Sequence, residues 1–438
     1  MIPKKMILSP TLQLEAVMTD RFKTETLSVA MAVPVSKEKT PLYILALACL
    51  KRGTEKFPTK KEINRRLDDL YATGVGVRSG RYDNVALLGF SADMLGQEYT
   101  DGKTDIFDGA LDMITQMLFH PCLDEDGMLL ANYVESEKDN LCDAIESQIN
   151  HPRSYAAKRC REIMFADDDY GFSMTGTVEQ IRGATVQQVT EAYRELISSH
   201  AFRVFYVGAK DINEVGNRLK NRLLSYMPNA SFSPFSQPQC RFDAKEIKRV
   251  QENMALSQGR LVLGFRTNSN VFSNDFYSTY VMAEVFGGSP ISKLFMNVRE
   301  RLGLCYYCSA NYDIYKGVMF VSSGVSPSSA DLAEREILTQ LEEIRQGNVT
   351  SAEFDAAINS IVGSYRSISD LPEYLESFYE GRGLFGDACM VTEFVENIKK
   401  VTIEDVVRAA QRTVLDTVYF LFGDEAEGAE EDDGDEAI

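Results

Sequence analysis

The chain has 438 residues, and its content of 44% hydrophobic and 10% aromatic residues is enough to form cores in two or three globular domains. Its 46 Lys and Arg against 65 Asp and Glu give a net charge of −19, which disfavours non-specific binding to nucleic acid. The longest apolar run, 42–50, is too short to span a bilayer, and the N-terminal residues do not have the pattern of a secretory signal. Eight cysteines at irregular spacing indicate reduced thiols. These features predict a cytoplasmic protein with no nucleic-acid or membrane partner.

The first half of the chain is predicted to contain paired strands and runs of helices. Residues 67–94, LDDLYATGVGVRSGRYDNVALLGFSADM, have the pattern of a helix end followed by two strands and an intervening turn. Helical periodicity covers 126–150, and Thr185 begins a helix that leads into a β-rich strand ending at Gly208. Strands next to strands and helices next to helices predict an α+β fold with an antiparallel sheet.

The second half of the chain repeats this order. Residues 299–325, RERLGLCYYCSANYDIYKGVMFVSSGV, again predict a helix end, a strand, a turn and a strand. A helical run at 328–368 includes a capping box formed by Thr350 and Glu353, and 402–423 repeat the Thr-capped helix and the strand ending in Gly. The shared order predicts two duplicated domains of about 200 residues each.

Composition sets the predicted domain boundaries. The first domain covers 1–229, and the stretch 230–258, rich in Pro, Ser, Asn and Gln near its start, is the predicted linker. The second domain covers 259–423. Residues 424–438 contain nine carboxylates and predict a disordered acidic tail.

Histidine is scarce in this chain. Only His120, His151 and His200 are present, so no helical zinc motif with two histidines four residues apart can form. Each of the three is predicted to lie in a loop or on the surface. One alternative function remains open, a hydrolase in which a Cys or Ser nucleophile uses one of these histidines as its base.

Cys305 and Cys308 form a C-x-x-C motif, which in other settings indicates a redox or zinc site. Here the motif lies in a predicted strand, where side chains three residues apart face opposite sides. The sequence therefore favours two core residues at these positions.

A glycine loop precedes the C-x-x-C motif. Gly287 and Gly288 are expected to open a helix that ends near Arg299, and the chain then enters a strand at Tyr306. The two side chains can converge on a ligand such as a peptide carbonyl. The structural alternative is an arginine at a helix end and a tyrosine in the core.

Three segments carry a resemblance to a known family: LKRGTEKFPTKKEINRRLDDLYATG at 50–74, VESEKDNLCDAIESQINHPRSYAAKRC at 134–160, and GGSPISKLFMNVRERLGLCYYCSANYDIYKG at 287–317. The chain resembles the insulinase/pitrilysin family of zinc peptidases, which includes mitochondrial processing peptidase, from about residue 10 to 423. The resemblance implies two duplicated α+β domains that form half of a clamshell.

The same resemblance implies that the catalytic centre is lost. The family's inverted zinc motif, H-x-x-E-H, falls on Ile44, Leu47 and Ala48, which neither bind zinc nor move a proton. The family's third zinc ligand, a glutamate, falls on Glu135, which alone would not hold the ion. We therefore expect no metal and no other cofactor on this chain.

The family's substrate-contacting arginine and tyrosine fall on Arg299 and Tyr306, with their spacing preserved. The pattern is similar to that of two-chain members, in which one subunit carries H-x-x-E-H and the other supplies these two residues. The resemblance thus implies a non-catalytic subunit that binds unfolded peptides beside a zinc-bearing partner. A second alternative is a structural or binding protein with the same fold, like the core subunits of a respiratory complex.

Overall fold

The computed structural model describes residues 2–228, 235–240, 246–256 and 258–423. The predicted linker lies partly outside these described residues, and the predicted acidic tail lies wholly outside them. Within the described ranges, no helix is long and apolar enough to cross a membrane. The same ranges contain two sheets with helices packed on them, so the α+β prediction is confirmed.

Eleven strands lie within the described ranges. They are β1 (Lys4–Ser9), β2 (Leu12–Met18), β3 (Thr24–Pro34), β4 (Gly74–Tyr82), β5 (Val85–Leu95), β6 (Phe202–Gly208), β7 (Lys248–Asn253), β8 (Gly259–Arg266), β9 (Cys305–Asp313), β10 (Val318–Val325) and β11 (Val414–Phe422).

Fourteen α-helices lie within the same ranges. They are α1 (Thr40–Leu50), α2 (Lys60–Asp69), α3 (Ile106–Phe119), α4 (Ala131–Glu146), α5 (Pro152–Met164), α6 (Val178–Gly183), α7 (Val186–Ser199), α8 (Ile212–Leu223), α9 (Phe276–Ala283), α10 (Ala330–Arg345), α11 (Ser351–Ser367), α12 (Pro372–Leu384), α13 (Val391–Ile398) and α14 (Ile403–Arg412).

Unit 1 draws on three stretches of the chain, within 2–146, 173–236 and 367–391. Its six strands follow the order β1-β2-β6-β3-β5-β4, and all neighbours are antiparallel except the parallel pair β2 and β6. The central strand β3 is buried along nearly its whole length, as expected for a strand that is covered on both faces.

Unit 2 draws on the stretches 147–172, 237–366 and the described residues from 392 onward. Its five strands follow the order β7-β11-β8-β10-β9, with β7 and β11 parallel and the other neighbours antiparallel. In the central strand β8, the Val262 side chain packs with Ala156 and Cys160 of α5. Phe265, on the opposite face, packs edge-on against Phe286.

The two sheets share one topology, which confirms the predicted duplication. The strands β2-β6-β3-β5-β4 of unit 1 have the same order and the same directions as β7-β11-β8-β10-β9 of unit 2. Unit 1 adds only β1 at its edge. Each sheet is antiparallel, as the sequence predicted, except for one parallel pair.

Each unit takes one helix from the other half of the sequence. In chain order α5 stands between two helices of unit 1, but it packs on β8 and β11 of unit 2. Correspondingly, α12 stands between helices of unit 2 but packs on β6 and β3 of unit 1. The predicted boundaries at 229, 258 and 423 remain predictions, whereas the units themselves are discontinuous in sequence.

Local signals account for many helix starts. Thr185 and Gln188 form a reciprocal capping box at α7, and Thr402 and Asp405 do so at α14. The predicted capping box at Thr350 is confirmed, because its amide donates to the Glu353 carboxylate at 2.8 Å and its hydroxyl accepts from the Glu353 amide at 3.2 Å.

Candidate functional site

The three positions of the degenerate zinc motif lie on α1. Leu47 is fully buried, while Ile44 and Ala48 are partly exposed. Their aliphatic side chains have no lone pair for a metal ion and no proton to exchange. This helix therefore contributes packing where the resemblance places the zinc ligands and the general base.

Glu135 lies on α4, which packs against α1. Its carboxylate is exposed and accepts a hydrogen bond from Lys138 at 3.0 Å. Nearby, the Arg52 guanidinium is 2.5 Å from the Glu137 carboxylate. Across the part of the chain that the structure describes, no three His, Cys, Asp or Glu side chains come together to hold a metal ion. The helices α1 and α4 pack together, and both Glu135 and Glu137 of α4 are paired with a cationic side chain.

Arg299 lies in the segment Leu294–Arg301, which winds as a wide π-helix. Its guanidinium carbon is 4.6 Å from the centre of the Phe295 ring, and its Nε is 3.6 Å from the Glu300 carboxylate. The side chain is 41% exposed. The arginine thus contacts Phe295 and Glu300 of its own helical segment and keeps a large part of its side chain open to solvent.

Tyr306 is the second residue of β9, an edge strand of the unit 2 sheet, and it is 68% exposed. It is therefore not the core tyrosine of the structural alternative. Among the described residues, no hydrogen bond joins Tyr306 to Arg299. Both are available to a ligand, and their common role stays a prediction.

The glycine loop lies against the same strand. The segment Glu284–Gly288 continues α9 as a π-helical turn. A Cβ on Gly287 would lie 2.7 Å from the Ala310 backbone nitrogen and 2.8 Å from the Ala310 Cβ, and a Cβ on Gly288 would collide with the Glu284 carboxylate. Only glycine lets this segment approach β9 so closely. The loop thus positions the helical segment that carries Arg299 next to the strand that carries Tyr306.

Cys305 and Cys308 lie on the same face of β9, so the expectation that they face opposite sides is wrong. Cys308 lies opposite Ser323 of β10, and Cys305 lies opposite Val325. The two cysteines are three residues apart on β9, whereas their partners are only two residues apart on β10, so β9 contains one extra residue. This is a β-bulge, which the sequence alone could not show because it depends on the register with β10. Both cysteines are buried, as expected.

The two thiols shift each other's pKa in opposite directions. A hydrogen bond from Cys308 is the main cause that lowers the pKa of Cys305 to about 7, although burial opposes it. A hydrogen bond with Ser323 and the positive charge of Arg299 lower the pKa further. The shared proton and burial together raise the pKa of Cys308. The pair therefore combines one readily ionised thiol with one that keeps its proton.

The three histidines lie at helix ends. His120 ends α3, where its ring nitrogens are 2.8 Å from the Tyr226 hydroxyl and 3.4 Å from the Glu55 carboxylate. His200 follows α7, contacts a backbone carbonyl one turn earlier, and has its pKa lowered by burial. His151 is the N-cap residue of α5. The partners named here are a phenol, a carboxylate and a carbonyl, not the thiol or alcohol that a nucleophile–base pair requires.

Sequence reasoning missed a group of buried charges in unit 1. Glu376 and Glu380 lie one turn apart on α12, and both approach Arg78 of β4, with the Glu376 carboxylate at 3.2 Å from the guanidinium. Burial raises the pKa of both carboxyls, that of Glu376 to about 8. An acidic pair at this spacing usually indicates a solvated helix face, so the sequence offered no signal for burial.

Comparison with known proteins supports the resemblance. Residues 183–361 match the family described as Peptidase M16 inactive domain, M16 being the family of insulinase and pitrilysin. The chain is 26% identical over 415 residues to the probable inactive metalloprotease YmfF of Bacillus subtilis, and the match covers 93% of this chain and 95% of that protein. The predicted resemblance to a peptidase of this family that lacks its catalytic motif is confirmed.

Solved structures share the fold. A conserved protein from Enterococcus faecalis matches with a TM-score of 0.90 and 23% identity, over 98% of this chain and 100% of the other. The peptidase M16 inactive domain from Pseudomonas fluorescens matches with a TM-score of 0.77 and 14% identity, over 98% of this chain and 100% of the other. These matches confirm a two-sheet M16-like fold for nearly the whole chain.

Proposed function

We propose that this chain, which resembles a probable inactive metalloprotease over nearly its whole length, is the non-catalytic subunit of a zinc peptidase. Its partner would be an M16-type subunit with an intact H-x-x-E-H motif, and its substrates would be unfolded peptides. The aliphatic side chains of Ile44, Leu47 and Ala48 support this role, because hydrolysis by this chain alone would lack both the metal ligands and the general base.

The observation that carries the proposal is the exposure of Arg299 and Tyr306. Tyr306 is 68% exposed on an edge strand, and the Arg299 side chain is 41% exposed. A guanidinium and a phenol can both donate hydrogen bonds to a peptide carbonyl. The partner's zinc would activate the attacking water, and these two donors would stabilise the negative charge on that carbonyl oxygen.

A structural or binding protein is the second candidate function. The loss of the zinc motif at Ile44, Leu47 and Ala48 fits this candidate equally well. The two candidates differ in what they require of Arg299 and Tyr306, since a scaffold has no need of exposed donors for a peptide. A Cys or Ser hydrolase is less well supported, because His120 and His200 lie beside groups that are not nucleophiles.

The test begins with purification from the native lysate under mild conditions, followed by native mass measurement and sequencing of any chain that co-purifies. We expect a complex near twice 49.1 kDa that contains a second chain with H-x-x-E-H and that cleaves an unfolded fluorogenic peptide. A chelator should abolish cleavage, and added zinc should restore it. A lone chain or a homodimer without peptidase activity would contradict the proposal and favour the scaffold.

A further inference from the structure

The bulge in β9 brings the Cα atoms of Cys305 and Cys308 to a separation that a disulfide can span. Ser323 and Val325 are alternate residues of a strand, so their Cα atoms lie about 6.6 Å apart. Because Cys308 and Cys305 are paired with these two residues, their Cα atoms have a similar separation. Disulfides span roughly 4.4–6.8 Å between Cα atoms. In a regular strand, residues three apart would be about 10 Å apart and would face opposite sides.

The two cysteines differ in how easily a reagent can reach them. Cys305 is the first residue of an edge strand and is flanked by the exposed side chains of Leu302 and Tyr306. Cys308 lies deeper, with 4% of its surface exposed against 8% for Cys305. Local opening at a strand end requires less free energy than global unfolding, so Cys305 is the thiol that reagents reach first.

The surroundings of Cys305 also favour the thiolate. The neighbouring Cys308 thiol is the main cause that lowers the pKa of Cys305, and the positive charge of the Arg299 guanidinium lowers it further. By contrast, Cys160 of the same unit is fully buried, and burial raises the pKa of its thiol. A reactive thiolate with a second thiol beside it is the arrangement that thiol–disulfide exchange requires.

We propose that Cys305 and Cys308 form a redox-active dithiol site that exchanges with low-molecular-weight disulfides such as oxidised glutathione. The Cys305 thiolate attacks one sulfur of the small disulfide and releases one small thiolate, which takes up a proton. Cys308 then loses its proton, attacks the Cys305 sulfur and releases the second small thiol. In total, two protein thiols and one small disulfide become one protein disulfide and two small thiols. This site does not depend on the proposed peptidase partnership.

Tryptic digestion and mass spectrometry measure this reaction directly. Trypsin cleaves after Arg301 and after Lys316, so the peptide 302–316 contains both cysteines and none of the other six. The folded full-length chain is incubated with oxidised and reduced glutathione, quenched, treated with a thiol-alkylating reagent and digested for mass spectrometry. We expect a peptide that is lighter by two hydrogen atoms and carries no alkyl group. A peptide that stays doubly alkylated while Cys122 becomes glutathionylated would overturn the proposal.

Two variants separate the roles of the thiols. Cys308→Ser should stop the reaction at a mixed disulfide between glutathione and Cys305, whereas Cys305→Ser should leave Cys308 alkylated and free of glutathione. Cys122→Ser is the matched control and should leave oxidation of 302–316 unchanged. A disulfide that forms only in the denatured wild-type chain would also overturn the proposal, and this last comparison requires no variant to fold.

Discussion

Arg299 and Tyr306 contribute less to the fold than other residues of the same types in their unit. Arg266 is buried in an ion pair with Asp416 at 2.6 Å, and the Tyr312 hydroxyl donates to the Ser269 carbonyl at 2.7 Å in the interior. Neither proposed ligand-binding side chain has such a role. Exposed donors that the fold does not require are available for recognition, which distinguishes these two residues from Arg266 and Tyr312.

This distinction predicts different costs for two conservative substitutions. Tyr306→Phe should change the free energy of unfolding by less than about 0.5 kcal/mol, because its hydroxyl is on the surface. Tyr312→Phe should lower it by about 0.5–1.5 kcal/mol, because the Ser269 carbonyl loses one of its two donors and keeps only the Thr267 hydroxyl. Urea titration of both variants provides the comparison. Equal losses would mean that Tyr306 is a structural residue.

A second prediction at this scale concerns the glycine loop. Gly287→Ala places a Cβ 2.7 Å from the Ala310 nitrogen and 2.8 Å from a Leu294 methyl group, so the loop must move away from β9. We expect a loss of about 1–3 kcal/mol in the free energy of unfolding. Gly363→Ala on α11 is the matched control, since its Cβ meets no atom within 4 Å, and it should be neutral or stabilising by up to about 1 kcal/mol. Similar effects of the two substitutions would refute the close approach.

At the scale of secondary-structure elements, α12 docks on its sheet through buried charges as well as apolar contacts. Glu376 and Glu380 share Arg78, and Glu15 of β2 lies near Arg203 on the same face. Burying an ionised carboxylate without full pairing costs free energy. The packing of α12 on its sheet therefore depends on whether Glu376 and Glu380 are protonated.

The pKa of Glu376 therefore predicts how stability changes with pH. Its folded pKa, about 8, exceeds the unfolded value of 4.5, so the folded state binds more protons between these values. The protonated Glu376 carboxyl therefore stabilises the folded state fully below the unfolded pKa of 4.5, and this stabilisation is lost as the pH rises through the folded pKa of about 8. The free energy of unfolding should fall between about pH 6 and about pH 9, and Glu376→Gln should reduce that fall.

Urea titrations at the two pH values test this dependence. Glu353→Gln is the control, because hydrogen bonds and Lys293 lower the pKa of Glu353 against the effect of burial, so it titrates below this range. An unchanged slope in Glu376→Gln would show that the carboxyl does not titrate there.

The sequence predicted the helices and strands better than it predicted how they pair and pack with one another. The echo between 185–208 and 402–423 identified the duplication, because caps and periodicity are local properties. The bulge at Cys305 could not be predicted, since it exists only in the register between β9 and β10. Glu376 was missed for a similar reason, because helical spacing does not indicate which surface covers an acidic face.

At the scale of the whole molecule, the exchange of α5 and α12 makes each unit depend on the other half of the sequence. Helical periodicity shows that each helix has an apolar face, but it does not show which sheet that face covers. The order of elements therefore suggested two contiguous domains, whereas the compact units are discontinuous. The symmetry of the exchange follows from the duplication, because α5 and α12 hold equivalent positions in the two halves.

This exchange predicts that neither half folds alone. A fragment of residues 1–236 lacks α12, and one of residues 237–438 lacks α5, so each exposes a sheet face that is buried in the intact chain. We expect no cooperative unfolding transition from either fragment and recovery of a transition when the two are mixed.

A matched control restores the missing helix in cis. The fragment 1–236 extended by a flexible linker and residues 372–384 should regain a cooperative transition, and the same extension with a scrambled helix sequence should not. Cooperative unfolding of both unextended fragments would show that the exchanged helices are dispensable.

The proposed role of this chain is to bind peptide for a catalytic partner. The most direct test of that role is the effect of Arg299→Ala on hydrolysis by the pair. We predict that kcat/KM for an unfolded peptide falls about tenfold or more, which corresponds to at least roughly 1.4 kcal/mol of transition-state stabilisation, while the native mass of the complex is unchanged. Arg301→Ala, two residues further along the same segment, should leave the rate near wild type. An unchanged kcat/KM in Arg299→Ala would contradict the central claim.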